Sequence, residues 1–553
     1  MIIAVIPARG GSKGIKRKNL RLLNGKPLIQ YVLERALFSK FIEHVIVTTD
    51  DKTIANFVKR FNVLIRNRPE ELAADNITLD PVVIDAVEWY ERKYNEIADV
   101  IVTIQPTSPL LSTETLDKAI EHFSNNEFDS LLSVTDDTHL SWKIEKDNLF
   151  PDYTKRLNRQ WLPKKMKETG TFVISKRKLL NGGQRIGGKV GIYELPSEEA
   201  IDIDSPVDWL LSSALLNKTK IEFVVTGNSS VGTGHVYRAL ILADFWLGND
   251  IKFILYNTSD KVEKIIKNKG YKIEKVSSLI EVKNFVPPDS IVVNDILDTT
   301  TEYIERLKSL GTYVVNFEDL GDGSYKADLV FNALYEKFNP PASHKYGYKY
   351  ECLNENFLLT RPNDFREKVK TILVTFGGAD PSNLTYRTLC SLKTISKELN
   401  IRVVIGPAYK WKDELLEYVR HSWKNRNIEI MGTVENMAEV MKNVDIALTS
   451  NGRTIYELAS MGIPMISIAQ NDRETMHLFA RYSRGIEYIG IECNVTSKII
   501  KDKINELIIN PNKRKEMYEA LPIKEIRKGL FNVTQIIEEK YRRWKNERNN
   551  YWK

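Results

Sequence analysis

Short apolar runs alternate with helical patterns along almost the whole chain. Val and Ile dominate these runs, which cover residues 1–6, 44–48, 100–104, 221–225, 251–256, 290–293, 312–316, 371–376, 401–405 and 444–448. Runs of this length, separated by segments of helical pattern, are typical of parallel strands that helices cover on both faces. The pattern therefore predicts the α/β class, with several doubly wound units in series.

Two breaks in this pattern predict domain boundaries. The chain of 553 residues is long enough for about two to four domains. The clearer break lies at residues 217–220, where an apolar helix ends and a new strand begins. A weaker break lies at residues 360–367, after the loop-like Asn339-Pro340-Pro341. We therefore expect domains at 1–218, 219–365 and 366–553, the last of which ends in a basic helix.

Composition narrows the class of protein. Hydrophobic residues make up 42% and charged residues 28% of the chain, which is the balance of a folded soluble protein. No apolar run approaches the ~18 to 20 residues that a membrane span requires, and Pro7 interrupts the apolar start, which favours a buried strand over a signal peptide. Cys352, Cys390 and Cys493 are too few and too widely spaced for a disulfide framework or a four-thiolate zinc site. We expect a reduced, cytoplasmic protein without a membrane partner.

The net charge of +7 raises the question of a nucleic-acid partner. Residues 511–553 hold 12 basic and 6 acidic residues, so the excess is concentrated at the end of the chain. A solvated terminal helix explains this excess more simply than an RNA- or membrane-binding tail, and we expect no nucleic-acid partner. The rival hypothesis predicts salt-sensitive nucleic-acid binding that deletion of this tail abolishes. A second cluster, without any acid, contains seven cations: Arg9, Lys13, Lys16, Arg17, Lys18, Arg21 and Lys26.

A glycine-rich turn follows the first strand. Gly10, Gly11 and Ser12 let the backbone turn tightly and aim its N–H groups at an anion. Arg9, Lys13 and Lys18 then neutralise a polyphosphate while charge builds on a departing pyrophosphate. The spacing is not that of a Walker A motif. A surface basic loop is the alternative, but it does not explain the order of strand, glycines and cations.

Two acids near the end of the first domain suggest a metal site. Asp202 and Asp204 are two positions apart in a predicted strand, so both carboxylates would point to one face. Mg²⁺ commonly takes one or two carboxylates together with phosphate oxygens and water. Two alternating acids on an exposed strand are the other interpretation, which is weaker beside a triphosphate loop. We therefore expect Mg²⁺ as the cofactor.

The run Ile6-Pro7-Ala8-Arg9-Gly10-Gly11-Ser12-Lys13-Gly14, which continues to Lys18-Asn19, resembles the opening of acylneuraminate cytidylyltransferases, the CMP-sialic acid synthetases. Further matches in the same order are Arg68-Pro69-Glu70-Glu71-Leu72-Ala73, Gln105-Pro106-Thr107-Ser108-Pro109-Leu110, Arg159-Gln160 and Ile201-Asp202-Ile203-Asp204-Ser205-Pro206. The resemblance covers residues 1–215. It implies a Rossmann-like nucleotidyltransferase domain, active as a homodimer, that joins CTP to a nonulosonic (sialic-acid-like) acid with Mg²⁺ and releases pyrophosphate.

The resemblance also implies roles for single residues. Arg9, Lys13, Lys18, Asn19 and Arg68 would hold CTP, while Gln105 and Arg159 would face the sugar acid. The chain departs from the family's pattern at Leu111, where Arg is common, and at Leu79, where Ser is common and Thr78 is the nearest hydroxyl. The implied reaction is in-line attack by the acceptor's anomeric hydroxyl on the α-phosphorus, and no residue of the domain is identified as its general base.

The second half begins with another strand and glycine turn. A third glycine is missing because Tyr237 stands in its place, so a dinucleotide site is not expected. Gly232 and Gly234 instead deliver His235 to the start of a helix, where it can accept a proton; a packing or capping histidine is the alternative.

Later turns in this half suggest a nucleotide site. Gly377 and Gly378 follow a predicted strand and could hold phosphate at the next helix start. The amides and hydroxyls of Gly452 and Thr454 suit a diphosphate, and Glu457 suits the ribose hydroxyls.

Together these turns resemble the GT-B-like nucleotide-sugar hydrolases of pseudaminic acid biosynthesis and their spore-coat polysaccharide relatives, over residues 221–500. The resemblance implies a two-lobed GT-B-like module that hydrolyses a UDP-linked diacetamido-trideoxyhexose, with His235 activating water. The chain departs from the hydrolases at Val224 and Thr226, where an Arg-x-Asp is usual, and at Gln470-Asn471-Asp472, where Asn-Gln is usual. A glycosyltransferase on the same fold, or a module that binds a nucleotide sugar without turnover, therefore stays open beside the hydrolase. Both halves would then serve one pathway, with CTP, a nonulosonic acid and a UDP-sugar as partners.

Overall fold

A computed structural model describes residues 1–11, 14–74, 76–228, 234–395, 398–424, 426–432 and 434–551. The chain forms two compact units, Met1–Lys218 and Thr219–Lys553. Both units have the predicted α/β architecture, and all ten apolar runs overlap strands. No helix in the described part of the chain is long and apolar enough to cross a membrane.

The first unit is built on one sheet with helices on both faces. Its strands are β1 (Ile2–Pro7), β2 (Leu22–Leu23), β3 (Lys26–Pro27), β4 (His44–Thr49), β5 (Leu64–Asn67), β6 (Val100–Ile104), β7 (Ser130–Asp136), β8 (Trp142–Glu145), β9 (Asn148–Pro151), β10 (Met166–Lys176) and β11 (Val190–Glu194). Its helices are α1 (Leu28–Leu37), α2 (Lys52–Val58), α3 (Leu79–Tyr94), α4 (Thr113–Asn125), α5 (Arg177–Asn181) and α6 (Pro206–Leu216).

The main sheet of this unit is mixed, whereas the sequence pattern predicted a parallel one. Its strand order is β11-β7-β10-β6-β1-β4-β5, and β10 runs antiparallel to both of its neighbours. The other pairs in the sheet are parallel. An antiparallel strand buried on both faces has the same apolar pattern as a parallel one, so periodicity alone does not reveal its direction.

The second unit contains two lobes, each with an entirely parallel sheet. The first lobe has strands β12 (Lys220–Gly227), β13 (Asp250–Thr258), β14 (Lys272–Val276), β15 (Ile291–Asp295), β16 (Tyr313–Phe317), β17 (Leu329–Asn332) and β18 (His344–Tyr346). Its helices are α7 (Gly234–Phe245), α8 (Asp260–Asn268), α9 (Thr301–Ser309) and α10 (Glu355–Leu359). The strand order is β14-β13-β12-β15-β16-β17-β18.

The second lobe repeats this plan. Its strands are β19 (Thr371–Thr375), β20 (Asn400–Val404), β21 (Ile428–Met431), β22 (Ile446–Ser450), β23 (Met465–Ala469) and β24 (Ile486–Ile491), in the order β21-β20-β19-β22-β23-β24. Its helices are α11 (Leu384–Leu392), α12 (Lys412–Ser422), α13 (Met437–Met441), α14 (Thr454–Ser460), α15 (Asp472–Thr475), α16 (Phe479–Tyr482), α17 (Ser497–Ile509), α18 (Pro511–Ala520) and α19 (Ile523–Arg527).

The last helix, α20 (Gly529–Tyr551), returns to the first lobe. Val533, Ile537 and Tyr541 are buried in the core of that lobe. The Tyr541 hydroxyl donates a hydrogen bond to the Asp289 carbonyl at 2.5 Å. The expectation of a solvated terminal helix within the second lobe was therefore wrong, because only the basic face of α20 meets water while its apolar face completes the first lobe's core.

Candidate functional site

A cavity of about 440 Å³ opens where β1 and β6 of the first unit end. Parallel strands bring their carboxyl ends to one edge of a sheet, which is where α/β proteins place their ligands. Seven of the predicted site residues line this cavity, namely Arg9, Lys18, Asn19, Arg68, Gln105, Asp202 and Asp204. The cavity therefore brings together residues that are separated by almost two hundred positions in the chain.

The cationic side of the cavity is held in place by backbone carbonyls. Lys18 and Asn19 lie on the 3-10 turn Lys18–Leu20, and the Asn19 amide donates to the Arg9 carbonyl at 3.0 Å. Arg68 donates to the Thr48 carbonyl at 2.8 Å. Burial, reinforced by the nearby positive charge of Arg9, lowers the pKa of the Arg68 guanidinium. A cation that is partly removed from water in this way interacts strongly with a bound polyanion.

The acidic side of the cavity is an extended loop and not a strand, which corrects the prediction for Asp202 and Asp204. The Ile203 N–H donates to the Thr107 carbonyl at 2.9 Å. Asp202 is half-buried while Asp204 is exposed, and Lys18 Nζ lies 3.0 Å from Asp204 Oδ1. The two carboxylates therefore reach one cavity from different depths instead of from one strand face.

These acids fit a divalent cation. Asp202 Oδ1 is buried and makes no hydrogen bond to a described residue, and burial raises the pKa of the Asp202 carboxyl. No group of three or more His, Cys, Asp or Glu side chains that could hold a metal occurs among the described residues. A metal here would consequently depend on Asp202, Asp204 and oxygens of the bound substrate, which is the coordination that Mg²⁺ prefers.

Several predicted residues lie elsewhere. The Gly10 N–H donates to Asp50 Oδ1 at 3.0 Å, so a protein carboxylate takes the amide that was assigned to a phosphate. Neither Gly10 nor Gly11 is among the residues that line the cavity, and Arg159 is exposed outside it. Ser12 and Lys13 lie outside the described residues.

Two residues of this site were missed from the sequence. Thr107 lines the cavity with a buried hydroxyl beside the Asp202 carboxyl, where it partly offsets the burial that raises the pKa of that carboxyl; its position two residues after Gln105 could have indicated it. A Cβ on Gly170, whose φ is +71°, would lie 2.9 Å from Gln105 Nε2 and 3.8 Å from Asp202 Oδ2. Gly170 thus allows Gln105 and Asp202 to approach one another, and an isolated glycine in a strand pattern was the only signal for it.

In the second unit, His235 forms a buried dyad with Asp295. His235 lies in the first turn of α7, and its Nδ1 is 2.5 Å from Asp295 Oδ1 at the end of β15. Arg238, one turn later, donates to both oxygens of the same carboxylate. Burial alone would raise the pKa of Asp295, but Arg238 and His235 outweigh burial and lower it. An ionised carboxylate only accepts hydrogen bonds, so Nδ1 carries the proton and Nε2 is the basic nitrogen.

Two buried acids, Glu318 and Glu351, connect this dyad to the second lobe. Arg238 also donates to Glu318 at 3.0 Å. Arg453, from the second lobe, donates to Glu351 at 2.9 Å and lies 3.5 Å from Glu318. Burial raises the pKa of Glu318 to about 7 despite Arg238, and raises that of Glu351 well above its usual range. None of Asp295, Glu318 and Glu351 was predicted.

The turn before α14 is the predicted diphosphate site. Asn451 holds this turn in place. Its side-chain amide donates to the Glu474 and His477 carbonyls, and its backbone N–H donates to Glu474 Oε2. A Cβ on Gly234 would lie 3.6 Å from the Arg453 side chain. The structure therefore brings Gly234, at the start of α7, close to Arg453 in the Gly452–Thr454 turn of the second lobe.

The remaining predicted residues of the second unit are Glu457, Gly377, Gly378 and Gly232. Glu457 is partly buried on α14, and burial alone raises its pKa to about 7. The Asp380 carboxylate accepts from the first amides of the helix after Gly377 and Gly378, namely Leu384 and Thr385, at 2.8 Å, so a protein carboxylate takes the helix start that was predicted to hold phosphate. Phosphate binding by Gly377 and Gly378 themselves stays a prediction. Gly232 lies outside the described residues.

Comparisons with known proteins match the two units to different families. Residues 3–220 match the family described as Cytidylyltransferase. Residues 371–530 match the family described as Glycosyltransferase family 28 C-terminal domain. This second match supports the glycosyltransferase alternative better than the hydrolase interpretation, for which the comparisons provide no support.

Individual relatives match parts of this chain. A CMP-N,N'-diacetyllegionaminic acid synthase of Legionella pneumophila is 33% identical over 234 residues, which cover 39% of this chain and 96% of the relative. N-acylneuraminate cytidylyltransferase A of Danio rerio is 34% identical over 215 residues, covering 38% of this chain and 49% of the relative. An uncharacterized protein of Methanocaldococcus jannaschii is 33% identical over 276 residues, covering 46% of this chain and 56% of the relative. The chain spans about half the length of the last two relatives.

Proposed function

Because the chain belongs, through residues 3–220, to the cytidylyltransferase family, we propose that its first unit transfers CMP from CTP to a nonulosonic acid and releases pyrophosphate. The observation that carries this proposal is the single cavity in which Arg9, Lys18 and Arg68 face Asp202 and Asp204. Cations in that number suit a triphosphate, and the two acids suit the metal that accompanies it. The names of the Legionella and Danio rerio relatives support a nonulosonic acid as the acceptor.

In this proposal the residues of the cavity have different roles. Arg9, Lys18 and Arg68 bind the triphosphate and offset the charge that develops on the leaving pyrophosphate. Asn19 binds the nucleotide, and Gln105 orients the sugar acid beside Asp202. Asp202 and Asp204 would hold Mg²⁺, which supplies charge neutralisation at the phosphates when bound. Positioning of the anomeric hydroxyl in line with the α-phosphorus accounts for the remaining acceleration.

The acceptor is identified by a panel assay on the full chain. CTP and Mg²⁺ are incubated separately with N-acetylneuraminic, diacetyllegionaminic and pseudaminic acids, and pyrophosphate release is measured. We expect one of the three to support release at least tenfold faster than the others. Equal release with every acid, or with no acid added, would contradict a specific nonulosonate acceptor.

For the second unit we propose a glycosyltransferase that uses a UDP-sugar, with His235 as its general base. The family 28 match supports the glycosyltransferase class. Nδ1 of His235 is held by Asp295, which leaves Nε2 to take the proton from an acceptor hydroxyl. The Gly452–Thr454 turn and Glu457 are proposed to bind the diphosphate and the ribose.

UDP release distinguishes this proposal from its alternatives. The full chain is given a UDP-linked diacetamido-trideoxyhexose with and without a candidate sugar acceptor. We expect release that depends on the acceptor. Release with water alone would favour the hydrolase, and binding of UDP without release in either mixture would favour a binding module.

We also propose that the first unit acts as a homodimer. The hairpin β8–β9 pairs Trp142 with Pro151 and Ile144 with Leu149, so these four side chains share one face. All eight hairpin residues are exposed, with Ile144 73% accessible. An apolar ribbon of this kind is a self-association surface when a second copy covers it.

A further inference from the structure

The run of cations after the first strand divides between two concavities. Arg9 and Lys18 line the cavity described above, whereas Lys16, Arg17 and Arg21 line a separate groove of about 570 Å³. Arg60, which follows α2, adds a fourth cation to this groove. The proposed transfer reaction uses only the first group, so the second group calls for its own explanation.

None of the four cations of the groove forms an ion pair with a residue that the structure describes. No Asp or Glu is among the described residues that line the groove. Neighbouring cations of the same segment are paired, Lys18 with Asp204 and Lys26 with Glu34. Like charges gathered around a concavity repel one another, and an anion bound among them would relieve that repulsion.

The fold holds two of these cations in defined positions. Arg17 has a φ of +55°, a left-handed conformation that costs a non-glycine residue about 1 kcal/mol or more. In this conformation its guanidinium donates to the Thr53 hydroxyl at 3.3 Å. The Arg60 guanidinium lies over the Phe57 ring at 5.7 Å. The charges are therefore oriented by contacts with α2 instead of extending freely into water.

The remaining residues that line the groove are mostly apolar. Leu20, Pro27 and Phe57 form an apolar floor, and the Asn56 side chain adds a polar edge. A phosphate alone would not use such a floor. A nucleotide would use both parts, since its phosphates need cations and its base stacks on an aromatic face beside an arginine.

We propose that this groove is a second nucleotide site, which binds a nucleoside polyphosphate through Lys16, Arg17 and Arg21 with its base against Phe57 and Arg60. The site is coupled to the first cavity through the turn Lys18–Leu20, since Lys18 and Asn19 line the first cavity and Leu20 lines the groove. A ligand that moves Leu20 changes the position of Lys18, so occupancy of the groove alters CTP affinity, and CTP alters the affinity of the groove equally.

Equilibrium dialysis of the full chain with ATP tests the site. We expect saturable binding by the wild type that weakens at least tenfold in an Arg21→Glu/Arg60→Glu double variant. The matched control is Lys40→Glu/Lys52→Glu, which makes the same change in net charge at exposed positions outside the groove. Absence of saturable ATP binding, or equal weakening in both double variants, would overturn the proposed site.

The coupling has a separate kinetic readout. In the cytidylyl-transfer assay we expect ATP to change the KM for CTP at least threefold more in the wild type than in Arg21→Glu/Arg60→Glu. Simple competition at the first cavity would affect both proteins equally, and this equality would overturn the coupling.

Discussion

Gly170 leaves space for the Gln105 amide in the first cavity. Its φ is +71°, and a Cβ added to it would lie only 2.9 Å from Gln105 Nε2, so a side chain at this position would push the Gln105 amide aside. We predict that Gly170→Ala lowers kcat/KM for the acceptor acid at least tenfold, because the added methyl group displaces the Gln105 amide.

The control for this substitution is Gly183→Ala. Gly183 has a similar φ of +81° but nothing within 4 Å of an added Cβ, so it carries the same backbone cost of about 1–2 kcal/mol without the clash. Equal losses of kcat/KM in the two variants would show that backbone strain, and not the position of Gln105, limits the reaction.

Glu457 makes the stability of the second unit depend on pH. Burial raises its folded-state pKa to about 7 from a usual value of 4.5, so between these values the folded state binds more protons than the unfolded state. Stability therefore falls as pH rises through this window. We predict that Glu457→Gln abolishes that fall and is more stable than the wild type at pH 8 by up to about 3 kcal/mol.

Urea denaturation at pH 5 and pH 8 measures this effect. Glu429→Gln, at an exposed position of β21, is the control and is expected to follow the wild type at both pH values. A Glu457→Gln variant with the same pH dependence as the wild type would contradict a buried carboxyl at this position.

Among single residues, sequence reasoning found the side chains that belong to short motifs. Lys18, Arg68, Gln105 and Asp202 come from separate motifs, and the fold places them around one cavity. Asp295 could not be found in this way, because it is an ordinary strand-end acid until the fold places it against His235, 60 residues earlier in the chain.

Among the elements, the β8–β9 hairpin carries the proposal of a homodimer. We predict that Ile144→Lys/Leu149→Lys weakens self-association at least tenfold, because it places two charges on the apolar face of the hairpin. Sedimentation velocity of the full chain across a concentration range measures the change.

Lys143→Glu, on the opposite face of the same strand, is the control for this prediction. It is expected to leave the dissociation constant within threefold of the wild-type value. A wild-type protein that sediments as a monomer at every concentration would exclude the homodimer.

Helix α20 belongs to the core of a lobe that it does not follow in sequence. Ile537 is fully buried there, so we predict that Ile537→Ala destabilises the second unit by about 2–4 kcal/mol in urea denaturation. Arg543→Ala, on the exposed face of the same helix, is expected to cost less than about 0.5 kcal/mol. Equal losses of stability in the two variants would indicate that α20 is a solvated helix, as the charge of this segment suggested.

Periodicity correctly located ten strands, because a strand buried on both faces needs an apolar run of its own. It could not reveal the direction of β10 or the packing of α20. Both depend on which distant element covers a face, and local sequence carries little information about that choice.

In the molecule as a whole, the two candidate sites lie on different compact units. We predict that His235→Ala removes acceptor-dependent UDP release while cytidylyl transfer stays within twofold of the wild type, because the His235 dyad and the CTP cavity share no residue. Assays of both activities on one preparation test this separation. Loss of cytidylyl transfer in a folded His235→Ala protein would mean that the two activities depend on each other.

The cations of the first cavity are proposed to bind CTP for transfer to a nonulosonic acid. This proposal is tested by pyrophosphate release from CTP and the preferred acid in the wild type, Lys18→Met and Lys40→Met. Lys18 lines the cavity, whereas Lys40 is exposed outside both the cavity and the groove. We predict release by the wild type, a loss of about 100-fold in Lys18→Met and less than threefold in Lys40→Met. No release by a folded wild-type protein with any acid, or equal activities of the two variants, would contradict the proposal.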